Sequence, residues 1–418
     1  MSSSARLQFV AAADELSLGA QLMDVVARKH IGEVTIAMTG RGRSLFFAVG
    51  PDGRCLDRLA ARNTLNPVGC LVKPLTAMLV AEAVAQTRLG WHDEVAEILG
   101  ARNIIGTRLA GVTVQQLLNH THGLDASSVK CVPRAGDGCI DAASLCGALS
   151  ARPLSVPGEM YSYSDVGGWL AGAVLEKLYR KPYMRILAAR PFMRDSDALA
   201  VPEGQVCAST GGALRLSAAQ WIEFLDSHAE QISTLGAERT SLPGWGLFEH
   251  GACSGWKAYA DGWLGHNSNQ TDCSAVLRFH PRERVGILVY AAGDGAAMLA
   301  LAGVLGEAFP ELLHFRIPRP VAQRNLPALK SDRYTGRFSR CDTQLAVQGG
   351  DGFPLSVSVL DPQAAPVWSC PHLRPGKDEL FLPEPQDDLR FPFMQFVRPD
   401  ASNRFEYVWN GRQLWRRE

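Results

Sequence analysis

The sequence predicts an α/β chain: an antiparallel sheet flanked by helices, with a helical subdomain, followed by a separate, wholly antiparallel β domain. Three observations carry this reading. Two β-rich hairpin signals stand far apart, at residues 33–49 and 274–291. Helical periods occupy much of the stretch between them. After residue 333 no helical period survives, and short strand-like runs alternate with turn residues.

Taken in order, residues 14–30 read as an amphipathic helix, with Leu16, Leu18, Leu22, Val25 and Val26 at helical spacing. EVTIAM and SLFFAV are β-rich runs joined by TGRGR, a glycine-containing turn. A helix is expected from Cys70 to Leu89. A second, short one is expected in TVQQLLNH, with Thr113 as its N-cap. Residues 125–157 carry Pro, Gly and Ser and read as loop. Residues 165–179 (DVGGWLAGAVLEKLY) are helical in pattern, and Ser217 is placed to cap AAQWIEFLDSHA. SAVLRF and RVGILVYAA form the second hairpin around HPRE. A closing helix is expected at 296–309, ended by Pro310.

The tail contains TQLAV, GGDG, LSVSVL, RFEYVW, then NG, then RQLWRR. Asn-Gly between two β-rich runs is a strong hairpin signal. The expected division is therefore 1–325 and 333–418, the second of about 85 residues, a small-domain size. Repeats and low-complexity tracts are not evident.

Lys+Arg and Asp+Glu both number 42 in 418 residues, so the formal charge is zero. A nucleic-acid partner needs a basic excess, and none is expected. The start, MSSSARLQFVAAADELSLGAQ, has an apolar run too short for a secretory signal, and no uncharged apolar stretch is long enough to span a membrane. A cytoplasmic location with free thiols is the expectation. None of the ten cysteines forms a Cys-x-x-Cys pair. Cys131, Cys139 and Cys146 are spaced too widely for a zinc knuckle and have no His among them, so neither a metal nor another cofactor is expected.

One short motif carries chemistry. In Gly69-Cys70-Leu71-Val72-Lys73-Pro74, Cys70 and Lys73 are three apart and share a helix face. Pro74 is tolerable only near a helix start, which sets the N-terminus at about Gly69. A thiol there faces a positive helix end and an ammonium, and both favour the thiolate nucleophile. By itself the motif is weak and the plain reading is the stronger one, since cysteine is often a small buried hydrophobe and Lys73 can be a surface residue.

Four further segments follow it in order. LLNHTHGL (117–124), PGEMYSYSD (157–165), STGGALRLSAAQW (209–221) and GHNS (265–268) resemble segments of the serine β-lactamase and penicillin-binding-protein-like family. Class C β-lactamases, D-aminopeptidases and esterases belong to this group. Cys70-x-x-Lys73 stands at its Ser-x-x-Lys position. The resemblance covers roughly residues 10–312 and implies the β-lactamase/transpeptidase-like fold. The tail resembles, more loosely, the lipocalin-like barrel attached to some members.

The resemblance implies roles. Cys70 attacks an acyl carbonyl, and Lys73 and Tyr163 share general-base work. His266 replaces the lysine of the family's K-T-G as a polar or cationic partner. Asp165, Asn267, Ser268 and Asn269 line the substrate and oxyanion side. The oxyanion donors are the Cys70 N–H and a second N–H near Asn269 or Gln270, each worth about 2.7–4 kcal/mol in comparable enzymes. Plainer readings stand beside these. Tyr163 also suits a core, His266 a strand cap, and Cys273 a core position. His120 and His122 read as structural members of a packed turn.

Three departures matter. Cys70 replaces serine. Ser268 replaces the glycine that lets substrate lie on the strand. Asp165 replaces an amide, and when ionised it only accepts hydrogen bonds; near Lys73 it would hold that lysine charged. The implied function is acyl transfer through a Cys70 acyl-enzyme, acting on a small amide, peptide or ester, with water or an amine as acceptor. The competing implication is an inactive member that keeps the cleft as a ligand-binding or scaffold protein. Oligomeric state is not legible.

Overall fold

The computed structural model describes residues 31–40, 42–100, 108–125, 133–149, 153–194, 214–237, 240–241, 251–270, 273–292, 331–340, 343–350, 352–376, 379–384 and 393–418, with residues 20, 23, 24 and 26 near the start. Those last four are helical, within the expected 14–30 helix, the rest of which lies outside the described residues. The expected 296–309 helix also lies outside them.

Both expected hairpins form, and they pair with each other. Val34–Gly40 (β1) and Arg43–Val49 (β2) make the first. The short strands Leu65–Pro67 (β3) and Arg215–Ser217 (β4) form a separate two-stranded ribbon. Thr240–Ser241 (β5), Gly251–Cys253 (β6), Trp256–Ala258 (β7), Leu264–Asn269 (β8), Cys273–His280 (β9) and Val285–Ala292 (β10) complete an eight-stranded sheet in the order β2-β1-β10-β9-β8-β7-β6-β5. The β1–β10 register, Val34 opposite Ala291 to Thr39 opposite Gly286, brings the two ends of this region together. Both strands are central and buried throughout β1 and nearly so in β10, which is why VTIAM and VGILVYA read as continuous apolar runs.

The helix expected from Cys70 begins with a 3-10 turn, Gly69–Leu71, and continues as Val72–Ala85 (α1). It stops four residues short of Leu89. Thr87 takes a left-handed conformation (φ 55°), and the Arg88 N–H returns to the Ala83 carbonyl, a turn that closes the helix end. Burial of Val72, Leu75, Thr76, Met78, Leu79 and Val80 makes α1 the central helix. Val114–Leu118 (α2) is capped by Thr113 and Ala218–Ser227 (α4) by Ser217, each with a glutamine closing a capping box. Asp165–Tyr179 (α3) lies between them in sequence and packs on both α1 and α2. The loop expected at 125–157 contains a helix, Ala142–Gly147, started by the Asp141 carboxylate accepting from the Ser144 N–H.

The tail forms a closed antiparallel barrel. Its strands are Gly336–Arg340 (β11), Thr343–Gly350 (β12), Gly352–Leu360 (β13), Pro366–Pro375 (β14), Leu380–Glu384 (β15), Met394–Pro399 (β16), Phe405–Trp409 (β17) and Leu414–Arg417 (β18). Pairing of β11 with β18 closes it. Tyr334, Phe338, Phe381, Phe396, Phe405 and Trp415 fill the interior, as expected for eight strands. The hairpin at Asn410-Gly411 turns one residue later than the dipeptide suggests. Asn410 N–H reaches the Gln413 carbonyl, and its side chain accepts from the Arg412 and Gln413 amides, so Gly411-Arg412 form the tip.

That tip meets the first region. Leu154, Met160, Tyr161 and Tyr163 share an apolar cluster with Leu382, Phe393, Tyr407, Trp409 and Leu414 of the barrel. The Tyr163 N–H donates to the Arg412 carbonyl at 2.8 Å, and Arg340 donates to the Tyr163 carbonyl at 3.3 Å. The barrel thus holds the backbone of Tyr163 on both sides.

Candidate active site

Cys70 sits in the first turn at the start of α1, half-buried, on the margin of the apolar cluster that joins the barrel. Gly69 before it has φ 51°, and a side chain there would lie 2.2 Å from the Ser268 Oγ and 2.0 Å from the Gln270 amide. Glycine is therefore required for β8 to approach the Cys70 turn.

One turn on, Lys73 is buried, with its ammonium 2.8 Å from Asp165 Oδ1 and 4.8 Å from the centre of the Tyr163 ring. Asp165 opens α3, where the Ser164 hydroxyl caps the helix and the positive helix end favours a carboxylate. Burial pushes Lys73 down, but Tyr163, Cys70 and Asp165 outweigh it and hold its pKa above the ordinary lysine range. Burial, and then Cys70, push the Tyr163 phenol up against the pull of Lys73. Both groups expected to share base work thus keep their protons in the resting site.

Two imidazoles flank Tyr163. The His120 ring is 4.6 Å away and the His266 ring 6.2 Å. His120 Nδ1 accepts from the Ser164 N–H at 3.3 Å, so it ties the turn of LLNHTHGL to the tyrosine segment. His122 Nδ1 accepts from the Leu124 N–H within that turn. His266 Nδ1 lies 2.8 Å from the Asn267 carbonyl, which can only accept; Nδ1 therefore carries the proton and Nε2 the lone pair. Burial, then Lys257 and Lys73, hold His266 well below the ordinary histidine range. His266 is a neutral partner for Tyr163, not a cation.

Along β8 side chains alternate in direction. His266 and Ser268 face the site. Asn267 faces away and accepts from Arg278 at 2.8 Å, while Asn269 is exposed on that same side. The backbone distinguishes the two amides expected to serve as the second oxyanion donor. Gln270 N–H is spent on the Cys273 carbonyl inside the β8–β9 hairpin. Hydrogen-bonded pairs alternate, so Asn269 points its N–H to the opposite edge, toward the Cys70 turn. The Cys70 N–H itself donates to Ser268 Oγ at 3.1 Å.

Sequence reasoning missed one cation. Arg412, exposed at the barrel hairpin tip, holds its guanidinium 4.5 Å from the Tyr163 ring centre. The hairpin was legible, but nothing local tells which element its tip will cover. Among the described residues, no three His, Cys, Asp or Glu side chains cluster as a metal site, and no helix is long and apolar enough to cross a membrane.

The beta-lactamase family model matches residues 18–305. The chain belongs to the beta-lactamase family. Solved structures extend the likeness at the level of fold. SurE, solved with D-Leu, is 22% identical with a TM-score of 0.75, covering 98% of this chain and 100% of its own, barrel included. A D-alanine carboxypeptidase AmpC from Burkholderia cenocepacia is 17% identical, TM-score 0.55, covering 71% of this chain and 100% of its own. A D-amino acid amidase from Ochrobactrum anthropi SV3, complexed with D-phenylalanine, is 15% identical, TM-score 0.54, covering 71% and 99%. No curated protein matches the chain. Within this beta-lactamase fold, the helical part carrying Tyr163 and strand β8 enclose the Cys70 turn, and the barrel forms a third wall.

Proposed function

We propose that the protein is an acyl-transfer enzyme, hydrolase or transacylase, working through an acyl thioester on Cys70. The observation that carries this reading is the convergence of Lys73, Tyr163 and His266 around a half-buried thiol at a helix start. Lys73, anchored by Asp165, and Arg412 supply positive charge beside the thiol and the developing oxyanion. The Cys70 thiol gives its proton to His266 Nε2 as Sγ bonds to the acyl carbon; the bond to the leaving group breaks, and that group departs with the Tyr163 phenol proton, which the His266 imidazolium then restores. The incoming water or amine gives its proton to His266 Nε2, the lone-pair nitrogen of that ring, which returns it to the departing Cys70 thiolate. Thioesters suit this second step, since amines attack them readily. An acyl donor bearing a carboxylate finds a cation in Arg412. The neighbours solved with D-Leu and D-phenylalanine support D-aminoacyl compounds as first candidates.

The competing reading is a binding protein that has kept the cleft. The Ser268 hydroxyl, seated on the Cys70 N–H, favours it. Mass spectrometry separates the two. The protein is incubated with aryl esters, acyl thioesters, D- and L-aminoacyl amides and a β-lactam. An acyl adduct on the Cys70 peptide, absent in Cys70→Ala and slowed in Tyr163→Phe, is expected. No adduct with any donor leaves the binding protein.

A further inference from the structure

We propose that Ser268 is a built-in plug of the oxyanion site, which restricts the enzyme to activated acyl donors; this rests on the acyl-enzyme reading above. The Ser268 side chain is buried and points into the site from β8, with Oγ 3.1 Å from the Cys70 nitrogen. A carbonyl oxygen using that N–H must sit about 3 Å from the same nitrogen. The hydroxyl already occupies this seat. Gly69 confirms how full the space is, since a single added carbon there would meet both Ser268 Oγ and the Gln270 amide within 2.2 Å. A glycine at 268 would leave the seat open.

The consequence is selective. With the Cys70 N–H engaged, an incoming carbonyl has only the Asn269 N–H until it displaces the hydroxyl. Aryl esters and thioesters need the least oxyanion stabilisation and still react. Unactivated amides, which need both donors, do not.

The test compares two reactions of the same thiol. In acylation by 4-nitrophenyl acetate, the Sγ–C bond forms, the C–O bond to 4-nitrophenolate breaks, and the thiol proton passes through His266 to solvent. This step needs the oxyanion site. Alkylation by iodoacetamide displaces iodide at a saturated carbon and does not. Both rates are followed on the Cys70 peptide by mass spectrometry for the wild type, Ser268→Gly, Ser268→Ala and Ser268→Thr. Acylation is expected to rise about 10- to 100-fold in the glycine and alanine variants. Ser268→Thr, which keeps the hydroxyl, should show no such rise, and alkylation should show none in any variant. Equal or slower acylation in both variants overturns the plug; if the wild type is acylated, the acyl-enzyme reading then stands. Acylation only after the hydroxyl is removed supports the plug and makes the wild type a binding protein. No acylation in any variant overturns both.

Discussion

Asp165 Oδ1 accepts from Lys73 Nζ at 2.8 Å, joining a buried ammonium to a carboxylate that is 36% exposed. The pair locks a proton on Lys73. Asp165→Asn leaves the ammonium buried without its counter-charge. We expect a loss of roughly 1–3 kcal/mol in urea unfolding, below the 3–5 kcal/mol of a fully buried pair because water reaches Asp165. The Lys73 pKa should also fall, moving the alkaline limb of Cys70 acylation to lower pH. An unchanged profile would mean that Lys73 takes no part in the step.

Arg412 should discriminate between substrates. The residue sits at an exposed hairpin tip but its guanidinium packs over Tyr163, so Arg412→Gln is expected to cost only about 0.5–2 kcal/mol of stability. Acylation by donors bearing a carboxylate should fall roughly 10- to 100-fold, the scale of a hydrogen bond to a charged group. A neutral aryl ester should be affected far less. Equal losses on both donors would assign Arg412 to holding Tyr163 rather than to substrate.

Acid should unfold the protein early. Burial depresses the His122 pKa from 6.5 to about 4. Between those values the unfolded chain binds a proton that the folded chain refuses. Stability is therefore full above pH 6.5 and falls as pH drops toward 4, by on the order of 3 kcal/mol from this residue. His120 and His266 are shifted in the same direction, chiefly by burial, and steepen the slope. Urea midpoints across pH 4–7 measure it, and His122→Gln should flatten part of it.

The barrel should matter to the site through one face only. Trp409 and Phe396 are both buried, and truncation of either to alanine should cost about 3–5 kcal/mol. Trp409 shares its cluster with Tyr161 and Tyr163, whereas Phe396 sits in the barrel interior. Per folded molecule, Cys70 acylation should fall in Trp409→Ala and hold in Phe396→Ala. Equal acylation in the two variants would detach the barrel from the chemistry.

Much of the fold was legible because its signals are local. Thr113 and Ser217 announce their helices by a side chain reaching three residues on, and the paired glutamines three positions later complete the boxes. The hairpins at 33–49 and 274–291 show in β-rich runs broken by turns. The misses share one cause. Ala142–Gly147 is too short for a period to emerge, and the end of α1 depends on Thr87 accepting a left-handed backbone. In the site, Asn267 and Ser268 are neighbours in sequence, yet only the pleat decides which one faces Cys70.

By itself the sequence determined which chemical groups this protein carries and roughly where helices and strands begin. Cys70 and Lys73 share a helix face because three residues make nearly one turn, whatever surrounds them. Tertiary structure alone decided their state. Lys73 meets Asp165 across 92 positions, and the Cys70 N–H meets Ser268 across 198. Whether a proton stays on Lys73, which nitrogen of His266 bears one, and what the Cys70 N–H meets depend on burial and on partners brought in from such distances. Those quantities follow from the dielectric and geometry of the assembled cleft, which no local pattern encodes.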